Sequence, residues 1–208
     1  MTDEREARTS LVQRAYRLEL LTVAWNVLEG VLAIGSAVAA GSVVLLGFGI
    51  DSFVECASAG VMLWRLQKEK QGICGHQLAS VELRARRLVA LSLFLLAAYV
   101  TCDACRALWH RERPEFSVLG SVLLAVSAAV MLWLAGEKRR VAHALKSEAM
   151  AADAVQTTAC WWLSLTALVG LGLNGLLGWW WADPLAALFI AVLVLNEGRV
   201  AWKGRPCC

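Results

Sequence analysis

The sequence predicts an all-α, polytopic membrane protein with six transmembrane helices and both termini in the cytoplasm. Three observations carry that expectation. Hydrophobic residues make up 59% of the 208, with a mean hydropathy of +0.58, too apolar for a soluble domain of this length. Apolar runs of about twenty residues, enough to cross hydrocarbon as a helix, recur between charged stretches. Placing the termini inside leaves 17 Lys and Arg on the inner side and three (Arg106, Arg111, Arg113) on the outer, as the positive-inside rule requires. The small net charge of +3, with no basic stretch interleaved with aromatics, points away from nucleic acid. Seven Cys, an odd number scattered through apolar segments, read as reduced small hydrophobes rather than a disulfide framework.

Taken in order, residues 1–19 form a charged cytoplasmic segment mixing Asp3, Glu4 and Glu6 with Arg5, Arg8, Arg14 and Arg17. The first helix runs from about Leu20 to Ala40. It ends in Ala-Val-Ala-Ala-Gly-Ser, which faintly resembles a signal-peptidase site, but the run is too long, and too polar at Asn26 and Glu29, for a cleaved segment. Gly41-Ser42 is a minimal turn, and a second helix extends to about Trp64. Residues 65–86 are polar and read as an inner loop. The third helix covers about Arg87 to Leu108, and a loop through Pro114 leads to the fourth, about Ser117 to Ala135. Glu137-Lys-Arg-Arg140 opens another inner loop, with a single His at 143 and no His-rich tract. The fifth helix runs from about Leu145 to Asn174, followed by the interfacial turn Gly175 to Ala182. Asp183-Pro184 opens the sixth, with Pro tolerated in the first turn and Asp able to cap it; it ends near Asn196-Glu197-Gly198. The membrane part is therefore 20–198 and the tail 199–208. Trp64, Trp133 and Trp202 fall at the inner interface, with Trp109 and Trp179 to Trp181 at the outer, as an aromatic belt.

The second helix holds the feature around which the rest is organised. Asp51 and Glu55 sit near its centre, and their i, i+4 spacing puts both on one face, able to hold one guest. A carboxylate costs a few kcal/mol or more to bury ionised in hydrocarbon, so such a pair faces a polar interior. A Lys or Arg on a neighbouring helix would satisfy it equally well, but this reading places none at mid-membrane depth. A bound cation is the better account.

The fifth helix carries the other dense polar stripe, Ser147 to Cys160. When Ser42 is set against Ser147, Asp51 and Glu55 lie nine and 13 residues on, and so do Gln156 and Cys160. Repeated halves with polar pairs in corresponding positions point to a midplane binding site. Asp51, Glu55 and Cys160, with the Gln156 carbonyl as a weak donor, offer four ligands suited to a borderline ion such as Zn²⁺ rather than to a hard-oxygen cage. The alternative for Cys160 is simple packing beside Trp161 and Trp162.

Together these segments resemble the cation diffusion facilitator family over roughly residues 15–204. The residues that carry the resemblance are Asp51-Ser-Phe-Val-Glu55, Ala152-Asp153-Ala-Val-Gln156-Thr-x-x-Cys160, the close Gly178-Trp-Trp-Trp-Ala-Asp183-Pro-Leu-Ala-Ala187 into Glu197-Gly198, and Asn26 with Glu29-Gly30. The resemblance implies a six-helix, usually dimeric antiporter that exports divalent metal, mainly Zn²⁺, in exchange for protons. It carries the metal site onto Asp51, Glu55, Gln156 and Cys160. Two features depart from the family pattern. Gln156 and Cys160 stand where His and Asp are usual, and the chain stops at Arg205-Pro-Cys207-Cys208, before the cytoplasmic metal-sensing domain of most members, as in a short form.

Asp153, about one turn toward the cytoplasm from Gln156, is a candidate for the access path, and Glu29 for a proton path. A non-transporting metal sensor or partner subunit is the alternative if the Gln156 and Cys160 replacements abolish transport. Cys102-Asp-Ala-Cys105 raises a membrane thiol oxidoreductase, but its obvious partner, Cys207-Cys208, falls on the opposite side of the membrane, so no direct relay is possible. The expectation is a multi-pass cell-membrane transporter, not an enzyme, whose partners are a divalent ion, protons, lipid and a second copy of itself.

Overall fold

The computed structural model describes the backbone of residues 2–40, 43–111 and 118–203, with side chains over 6–35, 48–111, 120–170, 173, 178–182 and 184–203. Six helices follow one another: α1 (Thr2–Ala40), α2 (Val43–Lys70), α3 (Gly75–His110), α4 (Val118–Leu145), α5 (Glu148–Leu177) and α6 (Ala182–Lys203). Four of them contain stretches long and apolar enough to cross a bilayer: Glu6–Gly35, Gly75–His110, Gly120–Leu145 and Pro184–Lys203. α2 and α5, of 28 and 30 residues, are of the same length class and carry the polar stripes.

The burial pattern is that of a protein dissolved in lipid. Glu19, Thr22, Asn26, Glu29, Asp51, Glu55, Lys138, Asp153 and Gln156 are buried, while Leu28, Val31, Leu95, Val122, Phe189 and Val192 face outward. In hydrocarbon the outer surface gains nothing by being polar, and each polar group must find its partner inside. The molecule is an integral, all-α membrane protein.

α1 packs along α2, α4 along α5 and α3 along α6; α1 also meets α4, α2 meets α3, and α5 meets α6. The helices thus form a ring in the order α1, α2, α3, α6, α5, α4, across which α5 also touches α2 and α3. This places the polar stripes of α2 and α5 face to face. The α1–α2 contact depends on two glycines. A Cβ on Gly49 would stand 2.6 Å from Ile34 Cγ1 and 3.3 Å from the Gly30 carbonyl, and one on Gly30 would stand 3.2 Å from Phe53. Small residues let the two backbones approach closely, the usual basis of helix association in lipid.

The polar stretches expected as inner loops are largely helix. α2 continues to Lys70 and α3 begins at Gly75, so only a tight turn separates them, and α4 continues to Leu145. Residues 2–19 likewise belong to the same unbroken helix as the first span. Ion pairs across the ends stabilise these extensions. Arg65, almost fully buried, bonds Glu69 at 2.6 Å and Glu82 at 2.7 Å. Arg8 reaches Glu69 at 2.7 Å, Arg14 pairs with Glu137, and Arg86 pairs with Glu148. Glu82 also accepts from the Ser147 hydroxyl (2.7 Å) and the Ala149 amide (2.9 Å), while Ser147 Oγ caps α5 by accepting from the Met150 amide at 3.1 Å. Lys146, at a left-handed φ of 53°, turns the chain between α4 and α5. This collar ties α1 to α5 together at the end inside by the charge count, hereafter the cytoplasmic end. The Pro114 loop, the Asp183 side chain and Cys207-Cys208 lie outside the described residues.

Candidate metal centre

Asp51 and Glu55 come from consecutive turns of α2, 7% and 1% exposed. Opposite them on α5, the Cys160 thiol lies against both carboxylates and the Thr157 hydroxyl lies beside Glu55. Both are buried, and Ser164 closes the next turn of α5 by bonding the Cys160 carbonyl at 2.9 Å. Oδ1 of Asp51 and both oxygens of Glu55 are nevertheless buried without a hydrogen bond of ordinary geometry. Among the described residues no Lys or Arg forms an ion pair with either carboxylate. Leaving buried carboxylate oxygens in that state costs several kcal/mol, which a proton, a cation or a donated hydrogen bond relieves.

Gln156 is at the same level but otherwise engaged. Its Oε1 accepts from the Ser92 hydroxyl of α3 at 2.6 Å, and its Nε2 donates to the Val54 carbonyl of α2 at 3.3 Å. The structure therefore brings Asp51, Glu55 and Cys160 together and holds Gln156 against α3. Among the described residues no three His, Cys, Asp or Glu side chains are gathered tightly enough to coordinate one ion as they stand.

Glu29 looks onto the same pair from α1. It is buried, both its oxygens lack a hydrogen bond, Ser127 and Trp25 lie beside it, and the charges of Glu55 and Asp51 act on it. Asn26, one turn away, donates to the Thr22 carbonyl at 3.0 Å and leaves its own Oδ1 buried and unbonded. α1 thus adds a third carboxylate beside the Asp51–Glu55 pair.

Asp153 has a role that the sequence did not show. Its Oδ2 binds Lys138 Nζ at 2.6 Å, its Oδ1 accepts from Ser58 at 2.5 Å, and the same ammonium binds Glu19 Oε2 at 2.9 Å. Lys138 and Glu19 are both 0% exposed. The expectation of an inner loop at 137–140 is therefore corrected: α4 runs on through these residues and buries Lys138 while Arg139 and Arg140 stay outside, so a Lys does reach the polar interior on the cytoplasmic side of the carboxylate pair. The sequence held a signal for this. Lys138 is spaced i, i+4 from Leu134 and i, i+3 from Val141, both buried. Glu19 likewise begins an α1 stripe with Thr22, Asn26 and Glu29.

A cavity of about 300 Å³ opens at the cytoplasmic end, lined by Arg86, His143, Lys146, Glu148 and Glu197 among others. None of the candidate metal ligands lines it, so it is a separate cavity between α3, α4, α5 and α6. Cys102 and Cys105 are free and exposed on α3.

Comparison with known proteins agrees with this architecture. Residues 20–204 match the cation efflux transmembrane domain. The Synechocystis protein named Uncharacterized transporter sll1263 is 30% identical over 179 residues, an overlap of 80% of this chain and 55% of that protein. The chain thus spans about half the length of the curated relative it matches. The domain match covers most of the six-helix membrane bundle, and the chain belongs to the cation efflux family.

Proposed function

We propose that the chain exports divalent metal ions, Zn²⁺ foremost, from the cytoplasm across the cell membrane by proton antiport, working as a homodimer. One observation carries this reading. Asp51 and Glu55 are buried, face a thiol and form no ion pair with a described Lys or Arg, although a buried ammonium that another pair has captured lies near enough for its charge to act on Glu55. The pair is left free for an ion that comes and goes.

The ligands are Asp51, Glu55 and Cys160. Gln156 joins as a fourth donor by exchanging Ser92 for the ion. Carboxylates with a thiolate suit Zn²⁺ and Cd²⁺ better than Mg²⁺ or Ca²⁺. The ligands must lose their protons to bind metal, so metal arrival expels protons and proton arrival expels metal. An acidic exterior then drives metal outward. Glu29, beside the pair, is positioned to pass those protons.

The test is uptake into proteoliposomes of purified chain, with Zn²⁺, Cd²⁺, Mn²⁺ and Co²⁺ offered under imposed pH gradients. The expected result is Zn²⁺ flux that follows the gradient and reverses with it. Flux indifferent to the gradient rejects antiport, and binding without flux turns the reading to a sensor. The engagement of Gln156 by Ser92 is the observation that favours that second reading.

A further inference from the structure

The second buried cluster is a set of cation ligands with a cation already on it. Glu19 from α1 and Asp153 from α5 converge on one Nζ, at 2.9 and 2.6 Å, where all three side chains are sealed from solvent. Ser58 fixes the orientation of Asp153 by donating to its other oxygen. The ammonium leaves the set incomplete. With both carboxylates ionised, the pair and one Lys carry one net negative charge, and Glu19 Oε1 is buried without a hydrogen bond of ordinary geometry, with Asp153 beside it. A divalent ion would neutralise both carboxylates and take up that oxygen, which a single ammonium does not do.

Position gives the cluster its meaning. Ser58 lies three residues beyond Glu55 on α2, and Asp153 lies seven before Cys160 on α5, about 5 and 10 Å toward the cytoplasm at the helical rise. The Lys138 charge acts on Glu55. An ion moving along the α2–α5 interface from the cytoplasm meets Glu19 and Asp153 first. Beyond them, Met62, Leu66, Leu134, Leu145 and Met150 close the cytoplasmic half with apolar packing.

We propose that Glu19 and Asp153 form a second divalent-cation site, a loading station on the cytoplasmic side of Asp51 and Glu55, on which the Lys138 ammonium stands in for the ion. Its donors are all oxygen, so it discriminates little between Mn²⁺ and Cd²⁺, unlike a site with a thiol. An incoming ion displaces Lys138 and then moves on to the inner pair. The inference rests on the transport reading for its purpose, but the existence of the site is tested separately.

The experiment uses the full chain, purified in detergent and carrying Asp51→Asn and Glu55→Gln so that the inner pair is silent. Equilibrium dialysis against Mn²⁺ or Cd²⁺ alone, followed by metal analysis, measures binding. Adding Lys138→Gln is expected to create a site with an affinity at least about tenfold above that of the parent, of similar strength for both ions and lost again on adding Glu19→Gln. A chain with Lys138→Gln that keeps the parent's helix content and elution volume but gains no ion overturns the proposal. If Lys138→Gln does not survive extraction, the charge-neutral Glu19→Gln, Lys138→Met, Asp153→Asn variant is made in the otherwise native chain. It is expected to keep Cd²⁺ binding at Asp51 and Glu55 while Cd²⁺ flux into vesicles falls at least about tenfold. Flux equal to that of the native chain overturns the proposal. Failure of the native chain to transport at all defeats the transport reading but leaves the dialysis result standing.

Discussion

Two groups of acidic side chains lie about one to two helical turns apart at the interface of α2 and α5, and a single residue separates their fates. The group nearer the cytoplasm, Glu19 and Asp153, is closed on Lys138. The inner group, Asp51 and Glu55, has a thiol, a hydroxyl and the Glu29 carboxyl near it and, among the described residues, no ion pair, although the Lys138 charge acts on Glu55 from the first group. Both are buried, so burial does not explain the difference. What differs is whether the bundle supplies the counter-ion itself. The Lys138 ammonium closes the first group across α1, α4 and α5 until an ion displaces it. Its absence makes the second an unfinished site that something exchangeable must complete.

Removing a carboxylate from the unfinished group has the largest expected effect. Asp51→Ala is predicted to abolish metal-dependent export at unchanged membrane abundance, read as metal accumulation in cells expressing each form. Wild-type metal resistance from that variant would end the central claim. Stability is expected to move the opposite way in the two groups. Lys138→Met strands two buried carboxylates and is predicted to cost about 3–5 kcal/mol, whereas Asp51→Asn removes an unpaired charge. The latter is expected to raise the thermal midpoint of the metal-free protein by roughly 2–8 °C, the equivalent of about 1–2 kcal/mol in a chain of this length. Thermal unfolding in detergent without metal compares the two, and a loss for both would show that Asp51 is already satisfied.

The next contrast is in pH. Metal and protons compete for the same oxygens and sulfur, so Zn²⁺ affinity is predicted to rise with pH and fall with acid. Acid protonates the ligands of the free protein, so each proton that the metal must expel makes binding weaker as pH drops. Calorimetric titration in buffers of different ionisation enthalpy counts the protons released. A count of zero would separate metal binding from proton coupling.

Smaller effects come from α5. Cys160→Ser is predicted to weaken Zn²⁺ and Cd²⁺ together, and Cys160→Asp to shift preference toward harder ions such as Mn²⁺; competition uptake into vesicles measures both. Unchanged transport by Cys160→Ser would reduce Cys160 to packing. The smallest is Ser92→Ala. It frees the Gln156 carbonyl from a 2.6 Å hydrogen bond at a cost of about 1 kcal/mol and is expected to tighten Zn²⁺ binding modestly. An unchanged affinity would show that Gln156 does not join the ion.

The sequence made some of these features legible and hid others, for physical reasons. Asp51 and Glu55 were readable because charges inside an apolar run have few permissible roles, and Cys160 because the offset between the halves pointed to it. Lys138 was hidden by its neighbours. Flanked by Glu137, Arg139 and Arg140, it looks like part of a solvated charge run, and only its spacing from Leu134 and Val141 betrays the inward face. The partner of Gln156 could not be read at all, because Ser92 lies on a third helix and the contact exists only after packing. The inner loops were overestimated because charged residues were taken to end helices, whereas here they pair across helix ends and extend them.

That extension has a mechanical consequence. α1 has 39 residues and so rises about 58 Å, against a hydrocarbon thickness of about 30 Å. Much of it therefore stands clear of the membrane as a rigid lever, with Glu19 near its midpoint, Arg14 a little over one turn before it and Arg8 further toward Thr2. Those two arginines clip the lever to α2 and α4 in water, where mobile ions weaken charge pairs, while Glu19 grips Lys138 in a region that salt does not reach. Rising ionic strength would therefore unclip the far end and leave the fulcrum intact, so that α1 swings about Lys138 rather than coming away.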